Sequence, residues 1–299
     1  MFSRNYLNLK NIPLSWLPKA TLRNLWLTIA SLAALQSLII FTNTQITGNA
    51  ITALIVWGGA LICIEDLIEI MRPKPSRLSL SIGAILLGYT FLRLSRIAGP
   101  DSFLYILAPI AGFGLASIAL PLRQLMKFRD ALLVLSLLPL FLIIQVIFAT
   151  YVTDDLSILT AKAVLFWLGI LGVTPTKLVG DTVFVAGGAV QVMHECNGFE
   201  MIMQMFITAI IFLLAFPLRS RLGKAIVIIA SPLIGFVVNS IRITLLAVFT
   251  SFNSTNGKWL FDFFHEQAGS LIFSGIAVFV LGYLYLAILN RELPPLIDY

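Results

Sequence analysis

The chain has 299 residues, 59% of them hydrophobic and only 11% charged, with 20 lysines and arginines against 14 acids and a formal charge of +6. Its mean hydropathy of +0.97 leaves too little polar surface to cover a globule in water, which excludes a soluble enzyme or binding domain. The basic surplus lies in short stretches between apolar runs, where it records membrane orientation and implies no nucleic-acid partner.

In chain order, a basic amino-terminal stretch (Arg4, Lys10, Lys19, Arg23) precedes an apolar run from about Leu25 to Phe41. A second run follows almost at once with no small-residue cleavage site between them, so the first is expected to be a retained helix rather than a secretory leader. Apolar runs near 25–41, 50–65, 78–94, 102–120, 131–151, 199–217, 225–250 and 268–289 predict about eight transmembrane helices. The expected fold class is an all-α polytopic membrane protein forming one membrane domain over 1–299. Its parts are a five-helix amino-terminal part (1–151), an extracytoplasmic segment (152–198) and a three-helix part (199–299). Arg72, Lys74 and Arg77, then Arg123, Lys127 and Arg129, then Arg219, Arg221 and Lys224, and finally Arg291 share one side with the amino terminus. The opposite loops carry only Arg93, Arg96, Lys162, Lys177 and Lys258, so the expected setting is the cytoplasmic (plasma) membrane with both termini in the cytoplasm.

Two segments break the pattern. Residues 156–173, "LSILTAKAVLFWLGILGV", are apolar, but they contain Lys162, follow Asp154 and Asp155, and would invert the charge assignment if they spanned. They are expected to form a helix lying in the outer interface. After Pro175 the period changes to two: "TVFVAGGAVQV", 182–192, alternates around Gly187-Gly188 and predicts a short extracytoplasmic β-hairpin. Lipid does not solvate strand edges, so this hairpin must stand in water or on protein.

The chemistry gathers where the hairpin ends. "MHECNGFEM", 193–201, places His194, Glu195, Cys196, Asn197 and Glu200 at a helix entrance, and the spacing by four of Cys196, Glu200 and Gln204 puts them on one helix face. Arg242 follows Lys224 by eighteen residues, about 27 Å of helix, and so reaches the far end of its span with Asn239 one turn below. The connection "FNSTNGKWLFDFFHEQAG" then delivers His265, followed by Glu266, just before the last span. Cys196, Arg242 and His265 thus arrive at one membrane face from three segments. Cys63 lies about 20 Å deep in the second span, too far for a disulfide to Cys196. His194 and Cys196 with the distant His265 make a weak zinc signature, and neither metal nor cofactor is expected.

Cys196-Asn197-Gly198 entering one helix, Asn239-x-x-Arg242 near the end of the next, and His265 with Gly269 opening the last resemble the exosortase/archaeosortase family, multi-pass membrane transpeptidases associated with PEP-CTERM and related sorting signals. The resemblance is best over about residues 180–290 and looks most like the cyanobacterial branch. It implies that Cys196 is the nucleophile and that Arg242 and His265 complete the catalytic set, while it assigns no role to His194, Glu195 or Glu200; Asn239, Glu200, His194 and Glu266 are supporting candidates by their place in the sequence. It further implies exported proteins with a carboxy-terminal sorting signal as substrates, membrane lipids as surroundings, and water, an amine or a hydroxyl as the final acceptor. The residues themselves suggest three aids to thiol ionisation: the helix amino terminus, the Arg242 guanidinium, and His265 as proton acceptor. The alternative is a non-enzymatic transporter or lipid-binding bundle in which Arg242 holds an anionic headgroup. A transporter would carry polar residues through the bilayer middle, whereas here they collect at one end.

Overall fold

The computed structural model describes residues 27–39, 47–70, 75–99, 101–174, 176–252 and 254–292. Arg4, Lys10, Lys19, Arg23, Arg72 and Lys74, part of the expected charge pattern, lie outside them. The amino-terminal half runs α1 (Leu27–Ile39), α2 (Thr47–Ile70), α3 (Arg77–Leu94) and α4 (Phe103–Ala119). A 3-10 turn (Leu122–Phe128) then leads into α5 (Arg129–Leu135) and α6 (Leu137–Tyr151). Ser76 caps α3 by accepting from the Ser79 amide, the usual way a helix start satisfies an orphan donor. The α3–α4 pair is tight because it meets at glycines: a Cβ on Gly83 would lie 2.7 Å from the Gly114 carbonyl oxygen. Ser79 Oγ donates across the same contact to the carbonyls of Ser117 and Leu120 at 2.6 and 2.7 Å. The expected fifth span is interrupted at Ser136, whose hydroxyl bonds back to the Leu132 carbonyl at 2.8 Å and competes with the helical ladder.

Four helical stretches are long and apolar enough to cross a membrane: Arg77–Leu94, Leu122–Tyr151, Arg221–Ser251 and Gly269–Glu292. Shorter apolar helices, Leu27–Ile39, Ala50–Ile64, Phe103–Ala119 and Phe199–Ala215, occupy the other predicted runs.

Residues 156–173 fall largely in α7 (Thr153–Ile170), which is not among those long apolar stretches. Its buried stripe, Ser157, Thr160, Ala161, Val164 and Leu168, has helical spacing, while Leu159, Lys162, Phe166 and Ile170 are exposed on the rest of its surface. The expected hairpin is two strands of a three-stranded antiparallel sheet: β1 (Lys177–Val179), β2 (Thr182–Val185) and β3 (Gly188–Gln191). The turn between β2 and β3 is Ala186-Gly187, with Gly187 at φ +96°, whereas Gly188 pairs with Val185 inside the ladder. Gly188 is small for another reason: a Cβ there would meet Thr250 Cγ2 at 2.7 Å. The missed strand β1 is only three residues long and joins β2 through Gly180, at φ +61°, and Asp181.

The carboxy-terminal half comprises α8 (Phe199–Ala215), α9 (Arg221–Ser251), α10 (Thr255–His265) and α11 (Gln267–Glu292). With 31 residues, α9 is about 46 Å long, well beyond the roughly 30 Å of a hydrocarbon layer. Its last turns serve as a post. Ile243, Leu246 and Ala247 pack with Val183, Val185, Val190 and Val192 of the sheet region and with Ala161, Val164 and Leu168 of α7. The sheet's apolar face is therefore buried on protein. The connection after α9 contains α10, started by Ser254, whose hydroxyl accepts from the Gly257 amide at 3.1 Å. In the core α8 acts as a dividing wall. Phe199, Met203, Ile207 and Ile211 pack with the amino-terminal helices, while Met201, Met205 and Ala209 face α9 and α11.

Candidate active site around Cys196

The Cys-Asn-Gly triple is a turn that joins the sheet to α8, and each residue has a distinct physical role. Gly198 sits at φ +94°, a conformation that L side chains rarely adopt, so helical geometry starts only at Phe199. Cys196 therefore lies before the helix rather than on its face, which corrects the expectation of a Cys196, Glu200, Gln204 stripe; only the last two lie on α8. Asn197 is fully buried and its Oδ1 accepts from the Phe199 amide at 3.0 Å, capping the entrance to α8. Its carbonyl accepts from Thr160 Oγ1 of α7 at 2.8 Å, which ties the turn to the neighbouring helix. A Cβ on Gly198 would stand 2.7 Å from Asn239 Nδ2, so glycine here also makes room for a side chain of α9.

Asn239 and Arg242, one turn apart on α9, are both buried. Asn239 Nδ2 donates to the Cys196 carbonyl at 3.0 Å. Arg242 donates from Nε to the Phe264 carbonyl at 3.1 Å and from Nη2 to the His265 carbonyl at 2.8 Å. These are carbonyls at the end of α10, which the helix itself leaves without partners. Among the described residues Nη1 has no hydrogen-bond partner. A small, partly open polar cleft lies against Arg242, Asn239, Gly198, Glu195, Glu200, Gln204, Ser270 and Ser274. Ser274 Oγ donates to Gln204 Oε1 at 3.1 Å, linking α11 to α8 below the turn. Ser270 and Ser274 were not legible as site residues, because a serine in an apolar run carries no signal until its helix is placed.

Cys196 is half-buried and packs against the cluster formed by α7, the sheet and the last turns of α9, which Phe261 and Phe264 of α10 also border. Burial pushes its pKa up from the ordinary 9.0; Arg242 pulls it down, and the carboxylates of Glu195 and Glu200 push it up further. Desolvation is thus the largest influence on the thiol, and it opposes the expected aids to ionisation. His265 is the last residue of α10, exposed, with its ring stacked on Phe261 at 5.4 Å and 16°. Its backbone carbonyl is fixed by Arg242, but among the described residues its imidazole makes no hydrogen bond to Cys196. His194 lies outside this constellation, pairing through Nε2 with Glu195 Oε1 at 2.8 Å, both side chains exposed. Glu266 is exposed beyond the end of α10. No group of three or more His, Cys, Asp or Glu residues able to hold a metal ion occurs among the described residues. Cys63 lies in α2, packed against the amino-terminal core.

The family model of the transmembrane exosortases matches residues 45–282, about four fifths of the chain. No curated protein and no solved structure matches it.

Proposed function

As the chain belongs to the transmembrane exosortase family, we propose that it is a cysteine peptidase or transpeptidase that cleaves the carboxy-terminal sorting signals, of PEP-CTERM type, of exported proteins. The observation that supports this reading most is the half-buried Cys196 thiol in a turn fixed by buried Asn239, with buried Arg242 within electrostatic reach. The Cys196 sulfur attacks the scissile carbonyl carbon as its proton leaves for His265, so ionisation is coupled to substrate engagement rather than completed beforehand. His265 takes up this role after its ring leaves the stack on Phe261. The unbonded Nη1 edge of Arg242 supplies a donor to the developing oxyanion in a water-poor setting. Collapse of the tetrahedral intermediate breaks the C–N bond, His265 protonates the departing amine, and a thioester remains on Cys196. Water releases a free carboxylate; an amine or hydroxyl acceptor yields a transfer product.

In this reading the chain crosses the cytoplasmic membrane eight times with both termini inside, α7 lies at the outer interface, and the site opens on the outer face. The competing lipid-headgroup role for Arg242 fits less well, since this side chain is buried and two of its donors are bound to α10. The test is co-expression with a protein ending in a Pro-containing motif, an apolar helix and a basic tail, with mass spectrometry of the new carboxy terminus. Cys196→Ala should insert normally and leave the substrate uncut, and Cys63→Ala should remain active. Processing by Cys196→Ala at the parent rate would sink the mechanism.

A further inference from the structure

We propose that Asn239 and Arg242 form a two-pronged clasp on α9 that sets the nucleophile turn against the end of α10, with Asn239 the positioning residue for Cys196. This rests on the reading of Cys196 as nucleophile. The Cys196 carbonyl lies outside any helix or strand, so the 3.0 Å bond from Asn239 Nδ2 supplies the partner it would otherwise lack. That amide is 2% exposed and sits where a Cβ on Gly198 would stand, so it fills the concave side of the turn. On the other side, Thr160 of α7 holds the next carbonyl, that of Asn197, at 2.8 Å. One turn further along α9, Arg242 holds the carbonyls of Phe264 and His265. Both prongs grasp backbone, and both spring from one continuous helix. The spacing between the Cys196 turn and the residue carrying His265 is therefore set by the rigid rise of α9 rather than by either loop. A misplacement of about 1 Å at a reacting group costs on the order of 10²-fold in rate, so the clasp has a catalytic consequence without touching substrate.

The test uses the full-length protein in detergent or liposomes and two readouts: substrate processing, and the rate of Cys196 alkylation by iodoacetamide against pH in a Cys63→Ala background. Asn239→Asp keeps the shape but replaces the donor with an oxygen facing the Cys196 carbonyl, and adds negative charge beside the thiol. It should lower processing by about 10²-fold and move the alkylation profile to higher pH. Asn239→Ser, too short to reach, should lower processing similarly and change the alkylation rate severalfold with the midpoint nearly unmoved; it carries the test if the aspartate variant does not assemble. An unchanged alkylation profile and unchanged processing in an assembled variant would overturn the clasp. Because alkylation needs no substrate, the clasp stands or falls on it even if Cys196→Ala retains processing, an outcome that would overturn the functional reading instead.

Discussion

Replacing Gly198 by alanine probes the turn directly, because two separate costs converge on one methyl group. At φ +94° an L residue loses about 1–2 kcal/mol relative to glycine. The new Cβ would also stand 2.7, 3.1 and 3.2 Å from Nδ2, Cγ and Cβ of Asn239, all inside ordinary contact distance, and overpacking of this kind costs about 1–3 kcal/mol. Together they amount to about 2–5 kcal/mol, relieved only if the turn moves or Asn239 swings away and releases the Cys196 carbonyl. The expected result is a lower melting temperature in detergent, a changed Cys196 alkylation rate, and processing reduced by at least about tenfold, since each 1.36 kcal/mol lost at the transition state is a factor of ten. A cycle with Asn239→Ala separates the two costs: it removes the two closest contacts, Nδ2 and Cγ, and leaves the one with Cβ at 3.2 Å and the backbone strain, giving a coupling of about 1–3 kcal/mol between the sites. Wild-type melting and alkylation in Gly198→Ala, or a coupling within about 0.5 kcal/mol of zero, would refute the packing argument.

The pH dependence of Cys196 has a definite sign. Its folded pKa is raised above the ordinary 9.0, so its contribution to stability is fully present below pH 9 and is lost as pH rises through the higher folded value. Wild-type protein should therefore lose more melting temperature than Cys196→Ala between about pH 8.5 and 10.5; identical losses would show that burial does not raise the thiol. Alkylation at Cys196 should be slow at pH 7 and rise about tenfold per unit toward pH 9 in the free protein, and a plateau below pH 8 would contradict the burial argument. For topology, reporter fusions after Arg129, Lys224 and Arg291 should report cytoplasm and fusions near Gly187 and Asn256 the outside. A cytoplasmic signal near Gly187 would make α7 a membrane span.

The helices of this protein were largely legible from the sequence because apolar runs of sufficient length have few alternatives in a chain this hydrophobic. What escaped was set by tertiary contact. β1 is three residues long and gains its place only by pairing with β2. The α10 segment opens with Asn, Ser, Thr and Gly, which read as a loop, yet Ser254 caps a helix there and Phe264 packs on Phe249 and Phe273. Spacing by four is all that periodicity reports, and it puts Cys196 on the face of α8; the positive φ of Gly198, which delays the helix start to Phe199, is visible only in the backbone. The expected aids to thiol ionisation meet an opposing effect for a related reason. Helix ends and a distant arginine are legible in sequence, but the desolvation that opposes them belongs to packing against the cluster that α7, α9 and the sheet build together.

The same distinction explains why the Cys-Asn-Gly and Asn-x-x-Arg patterns were readable at all. In each, the residue proposed for chemistry is accompanied by residues whose identity is dictated by backbone: Asn197 caps α8, Gly198 supplies a positive φ and space, and Asn239 fills that space and binds the Cys196 carbonyl. Arg242 extends the logic to α10 by binding its terminal carbonyls. Such constraints are local in sequence within each pair, i to i+2 or i to i+3, so they surface as short motifs, although the two motifs lie more than forty residues apart. At His265 the backbone signature falls on its companion Gly269, where a Cβ would collide with the backbone of Phe264; His265 itself is held through its own carbonyl by Arg242, a bond that any residue at position 265 would accept. Its identity is consequently free of the turn's geometry, which leaves the imidazole itself, exposed and stacked on Phe261, as what that position offers to chemistry.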